Sequence, residues 1–201
     1  METVDTKKLL FEQPFLTHFV DRGFMDVAER FIFNARKEDA VLTNNEVFQA
    51  LRNVFIMNSL QLCWNRPLEL TKPMYAYSLL YPYTDNMLDD PSISNDTKKI
   101  FNERLAKVIA GETLTSTDPK EQRMFDLVKE IKACYPADHF PEVTESVQLI
   151  HQAQIMSLDQ NYKKALDRDI ITTITFFKGG TSVLADAYLI KGTLTQDDML
   201  F

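Results

Sequence analysis

A chain of 201 residues is long enough for one sizeable core, and a single domain over 1–201 is expected. Hydrophobic residues at 45%, charged residues at 25% and only 5 glycines fit a soluble globular protein poor in the turn residues that many-stranded sheets need, so the fold class expected is all-α. A net charge of −7 excludes a broad nucleic-acid footprint, which calls for clustered Lys and Arg; an anionic ligand has to be held locally.

After a polar start, Phe15, Phe19, Met25, Ala28, Phe31 and Ile32 recur at near-helical spacing. They predict one amphipathic helix with an aromatic core face, ending by Arg36 to Asp39. Thr43-Asn44-Asn45-Glu46 reads as a capping box that opens a second helix through Leu51, Val54, Phe55, Asn58 and Leu62, closing before Arg66-Pro67. Pro73 suits the first turn of a third, which carries Tyr77, Tyr81, Asp85 and Asp89 and has to stop by Pro91. Pro82 falls inside it, one turn before the carboxylates, and is expected to bend its axis.

A fourth helix follows Asn95 and closes near Gly111, and Asp118-Pro119-Lys120-Glu121 supplies a cap, a first-turn proline and a returning Glu for a fifth. From Pro141 a long helix carries Val147, Ile150, Gln154, Ser157 and Leu158. Another runs through Ile170, Ile171, Ile174 and Phe177 into Gly179-Gly180, where a break and restart are expected. Gly192 stops the restarted helix, and Thr195-Gln196-Asp197-Asp198 opens one more that meets the chain end at Met199-Leu200-Phe201 within about two turns, so a C-terminal truncation is expected.

Cys63 and Cys134 belong to no metal-binding or redox spacing and read as reduced thiols in a cytoplasmic protein. The acidic start Met1-Glu2-Thr3-Val4-Asp5 is unlike a basic secretory signal, and no stretch approaches the roughly 20 apolar residues of a membrane span.

The chemistry concentrates in Tyr81-Pro82-Tyr83-Thr84-Asp85-Asn86-Met87-Leu88-Asp89-Asp90. Residues four apart share a helix face, so Asp85 and Asp89 can aim two carboxylates into one site, with Asn86 and Asp90 on the adjacent stripe. Magnesium takes such a set of hard oxygens, completed by water and substrate phosphate. Carboxylates near a helix C-terminus oppose the macrodipole by ~0.3 to 1 kcal/mol each, so a compensating cation is expected. The same acids also fit a solvated helix end at which Asp89-Asp90-Pro91 begins a turn. The apolar company of Tyr77, Leu80, Tyr81 and Met87 favours acids at one end of an apolar cavity. Further along, a helix broken at Gly179-Gly180 would offer backbone N–H groups at its new N-terminus, with Lys178 as a point charge for phosphate oxygens. A helix kink with a snorkelling lysine is the alternative.

Asp85-Asn86-x-x-Asp89-Asp90 on a tyrosine-rich helix resembles the first aspartate-rich motif of the class I isoprenoid synthases, the superfamily of trans-prenyltransferases, squalene and phytoene synthases and class I terpene cyclases. The resemblance implies an all-α bundle of the isoprenoid (terpenoid) synthase type around a deep apolar pocket. It also implies bound Mg2+ that helps ionise an allylic prenyl diphosphate, and Asp85 and Asp89 as metal ligands. Asn86 departs from the pattern, standing where many members have a second Asp. Phe177-Lys178-Gly179-Gly180-Thr181-Ser182-Val183-Leu184 resembles the Lys-Thr-Gly-x-Leu segment of prenyl diphosphate synthases, whose lysine contacts diphosphate. Gln154-Ile155-Met156-Ser157 falls where the family often has a Gln-x-x-Asp element, with Ser157 in place of the Asp. In similar prenyltransferases a bulky residue near the position of Tyr81 limits product length. Aromatic faces such as Tyr77, Tyr81 and Phe176 would stabilise the carbocation. The second aspartate-rich motif is missing, in keeping with the truncation read from the last cap.

A di-iron bundle fails, because His18, His139 and His151 lack a Glu three residues earlier. No His-Asp pair supports a phosphohydrolase, and no nucleophile elbow is present. A helical interaction or scaffold protein of the same fold without catalysis stays open, its 8 Met and 14 Phe filling a core or a partner groove. A homodimer stays open too.

Overall fold

The computed structural model describes residues 14–162 and 168–200. Among them every regular element is an α-helix and no strand occurs, so the all-α expectation holds. No described helix is long and apolar enough to cross a membrane. The acidic residues 1–5, the side chains of Phe15, His18 and Leu158, and Phe201 lie outside the described residues. The chain gathers into two compact units, Met1–Leu70 and Thr71–Phe201.

The first unit holds α1 (Pro14–Asp21), α2 (Phe24–Glu38) and α3 (Asn44–Cys63). The single helix expected over this stretch is two, parted at Gly23, whose φ of 99° lies in the left-handed region that glycine enters without a Cβ penalty. Phe19 of α1 then folds onto Phe24 of α2 and Phe55 of α3, ring centroids 4.6 and 4.7 Å apart. The core face is as expected at Phe19, Ala28 and Phe31, whereas Met25 turns outward. The capping box forms: Thr43 Oγ1 accepts from Glu46 N at 3.2 Å, and Thr43 N donates to Glu46 Oε2 at 2.8 Å. At the far end two buried amides fold the chain back on α3. Asn58 Nδ2 donates to Glu69 O at 3.2 Å, and Gln61 Oε1 accepts from Glu69 N at 3.2 Å.

The second unit holds α4 (Lys72–Asp89), α5 (Asn95–Ala110), α6 (Pro119–Cys134), α7 (Pro141–Tyr162), α8 (Arg168–Lys191) and α9 (Gln196–Met199). Pro73 to Leu80 is an unbroken buried run, so α4 has no solvent face there and is the unit's central helix, packed chiefly along α6. It continues through Pro82. The Thr84 hydroxyl donates to the carbonyls of Leu80 and Tyr81 at 3.0 and 2.9 Å, serving backbone acceptors beside the proline.

Helix α5 ends at Gly111, with φ 116°, where Lys132 Nζ donates to Ile109 O at 3.1 Å. Asp118 caps α6, accepting from Glu121 N at 2.8 Å. Helices α7 and α8 pack along each other. Gly192 ends α8 with φ 78°, against the rings of Tyr135 and Phe140. The Tyr135 hydroxyl donates to Leu189 O at 3.1 Å, taking up one of the last carbonyls of α8. Thr195 and Asp198 then form the expected cap of α9, and Lys191 is paired with Asp198. Cys63 and Cys134 are both free and exposed.

Candidate functional site

The expected break at Gly179-Gly180 does not occur, because α8 runs without interruption from Arg168 to Lys191. Two helix-interior glycines cost about 1 kcal/mol each relative to alanine. The helix beyond them buries Ala185, Leu189 and Ile190, which outweighs that cost. The Thr181 hydroxyl also bridges the pair, donating to Phe177 O at 2.7 Å. There is consequently no new helix N-terminus at Gly179 and Gly180, and the backbone N–H cradle expected there is withdrawn. Phe176, expected beside the substrate, is 77% exposed and is not among the residues lining the cavity described below.

Lys178 does reach the acidic motif. Its Nζ lies 3.0 Å from Asp85 Oδ1 and 6.0 Å from the centroid of the Tyr81 ring. Two turns further along α8, Asp186 bears on Tyr77, which lies two turns earlier on α4. Helices α4 and α8 thus run antiparallel along a shared seam. Asp89, Asp85, Tyr81 and Tyr77 occupy one stripe, and Lys178, Ser182 and Asp186 the other. The seam deepens as it goes, from exposed Asp89 through half-buried Asp85 and Lys178 to Asp186 at 0% exposure. Burial first, and then the charge of Asp186, pushes the Tyr77 hydroxyl well above the ordinary phenol range. Burial pulls Lys178 down, but Tyr81, Asp85 and Asp89 together outweigh it and hold the ammonium above its usual value.

Beside the seam lies a cavity of about 20 Å3 lined by Tyr77, Tyr81 and Thr84 of α4, Leu105 and Ile109 of α5, and Val147, Ile150, His151 and Gln154 of α7. That is room for about one water molecule, and a prenyl chain does not fit it as it stands. Of the expected substrate contacts, Tyr77, Tyr81 and Gln154 line it, whereas Ser157, Phe176, Lys178, Gly179 and Gly180 do not. Gln154 Nε2 donates to Thr84 Oγ1 at 3.2 Å, tying α7 to α4.

Asp90 has a different employment. Its Oδ1 accepts from Ser92 N at 2.8 Å and Ser92 Oγ at 2.6 Å, the turn that ends α4, and these bonds hold its carboxyl below the usual range. Asp85 and Asp89 remain as two carboxylates one turn apart, hard-oxygen donors of the kind that suits a divalent cation. No group of three His, Cys, Asp or Glu converges among the described residues, so a cation there would complete its shell from water and phosphate.

Two residues of this region were not singled out from the sequence. Asp186 carried a signal in the Lys178-x-x-x-Ser182-x-x-x-Asp186 stripe, a polar line at helical spacing. His151 entered the sequence reading only as a histidine without the Glu of a di-iron motif. It is buried, with Nε2 3.2 Å from Asn102 O and Nδ1 without a hydrogen-bond partner, and burial lowers its pKa.

No family model, curated protein or solved structure matches the chain. Fold and site together define an all-helical protein whose second unit carries an acid–lysine seam beside a small, mainly apolar cavity.

Proposed function

We propose that the chain belongs to the class I isoprenoid synthases and grips a prenyl diphosphate at the open end of the α4–α8 seam, in a cytoplasmic setting. One observation carries this reading. Asp85 and Lys178, 93 residues apart and each drawn from a segment resembling a diphosphate-binding motif, meet at 3.0 Å beside a cavity lined by Tyr77 and Tyr81. Asp85 and Asp89 would hold Mg2+, which supplies charge neutralisation for a departing diphosphate. Lys178 binds the diphosphate oxygens from α8, and the Tyr77 and Tyr81 rings offer their faces to the allylic cation. For a prenyl chain to enter, the α4 and α7 side chains around Gln154 have to part.

Calorimetry with farnesyl diphosphate, with and without Mg2+, tests the proposal. Binding that Mg2+ tightens, with that gain lost in Asp85→Ala and Asp89→Ala and helical circular dichroism unchanged, is the expected result. Binding that Mg2+ leaves unchanged, or no binding at all, would sink it.

The second reading, a non-catalytic interaction protein, is favoured by the apolar face that α8 exposes at Phe176 and Val183, seven residues apart. A second copy of the chain on that face would give the homodimer, and sedimentation at rising concentration would reveal it.

A further inference from the structure

At the acidic end of the seam, the balance of charge bears on the order in which ligands bind. Asp90 is committed to Ser92, so the face offers Asp85 and Asp89, and Lys178 cancels one of these two charges. A carboxylate oxygen that accepts from an ammonium at 3.0 Å is a poor ligand for a divalent cation, because the two positive charges repel across the same oxygen.

The contact is also releasable. Lys178 and Asp85 side chains are 28% and 31% exposed, a degree of solvation at which ion pairs exchange readily, and the ammonium sits on a flexible four-carbon stem. An anion with several charged oxygens at the seam mouth would compete with Asp85 for Lys178.

We infer that Lys178 is a latch on Asp85, suppressing divalent-cation binding at the Asp85–Asp89 face until a polyphosphate anion draws the lysine away. The inference rests on the diphosphate reading of this site and adds a regulation to it: anion first, metal second. By linkage, the factor by which the anion tightens the metal equals the factor by which the metal tightens the anion.

The test uses the whole chain, with Mn2+ as a spectroscopic stand-in for Mg2+ and inorganic diphosphate as the anion. Free Mn2+ is followed by electron paramagnetic resonance in the wild type and in Lys178→Gln, Lys178→Met, Lys178→Arg and Asp85→Asn. Circular dichroism checks the fold of each, and the two neutral variants back each other up. Without diphosphate, Lys178→Gln and Lys178→Met bind Mn2+ about tenfold tighter than wild type, within the usual range of coupling between sites. Lys178→Arg, which keeps the charge, stays near wild type, and Asp85→Asn stays weak. Adding diphosphate tightens Mn2+ in the wild type and has much less effect in the neutral variants.

Neutral variants that bind Mn2+ no better than wild type overturn the latch, as does diphosphate–metal coupling that survives undiminished in them. Failure of every variant to bind diphosphate, with the neutral-variant gain in Mn2+ affinity present, overturns the diphosphate reading and leaves the Lys178–Asp85 suppression standing.

Discussion

His151 is a residue whose chemistry its place in the fold alters. Its Nε2 meets the Asn102 carbonyl, its Nδ1 has no hydrogen-bond partner, and burial disfavours the imidazolium. A histidine whose folded pKa is lowered takes up its proton more readily in the unfolded chain. The stability it contributes is therefore full above its ordinary value of 6.5 and is lost as pH falls from there through the folded value. Urea midpoints measured from about pH 8 down to about pH 5 should fall, and His151→Gln should flatten that fall. A wild-type midpoint that does not move over this window would refute the assignment. Asp90 and Asp198 are both held below 3.8 by their hydrogen bonds, Asp198 at about 2, so their contributions are lost only at more acid pH. The Lys178–Asp85 pair, in contrast, is partly solvated and contributes at most about 1 kcal/mol to the fold, so its meaning is to be sought in ligand binding.

At the scale of the element, the glycines separate what was legible from what was not. Gly111 and Gly192 end their helices as expected, because a left-handed residue after the last turn is a local requirement. Gly23 divides one expected helix into two, and Gly179-Gly180 fails to divide another. The residue type is the same in each case. The outcome is decided by what the neighbouring turns bury, and periodicity along a single chain does not report that.

A Cβ at Gly179 or Gly180 meets nothing within 4 Å, and both are helical, so alanine at either should stabilise by about 0.5 to 1 kcal/mol. A Cβ at Gly192 would lie 2.9 Å from a Phe140 ring carbon, and its φ is positive, so Gly192→Ala should cost about 1 to 3 kcal/mol. Thermal unfolding of the three variants checks this, and destabilisation by Gly179→Ala would return the helix break to consideration. The acidic motif on α4 was legible because four-residue spacing is local, and Lys178 was legible as a charge beside glycines. Their meeting, and the burial of Asp186 on the same stripe, depend on the antiparallel register of α4 and α8.

On the scale of the whole molecule, the all-helical class was readable from few glycines and regular caps, because each cap needs only its own few residues. The division into two compact units carried no such mark, since Leu70-Thr71 has neither a linker composition nor a charge run around it. Residues 71–201, whose core includes fully buried Phe125 and Leu127, should fold as a separate chain with a cooperative thermal transition. Phe125→Ala in that chain should cost about 3 to 5 kcal/mol. A helical signal that melts without cooperativity would count against independent folding.

The two exposed cysteines fall one to each unit, Cys63 before Leu70 and Cys134 after Thr71. The chain therefore carries a native pair of attachment points for donor and acceptor dyes, with no cysteine to remove or introduce. Energy transfer between them, followed as diphosphate and metal are added, would read out whether filling the seam in one unit is felt by the other.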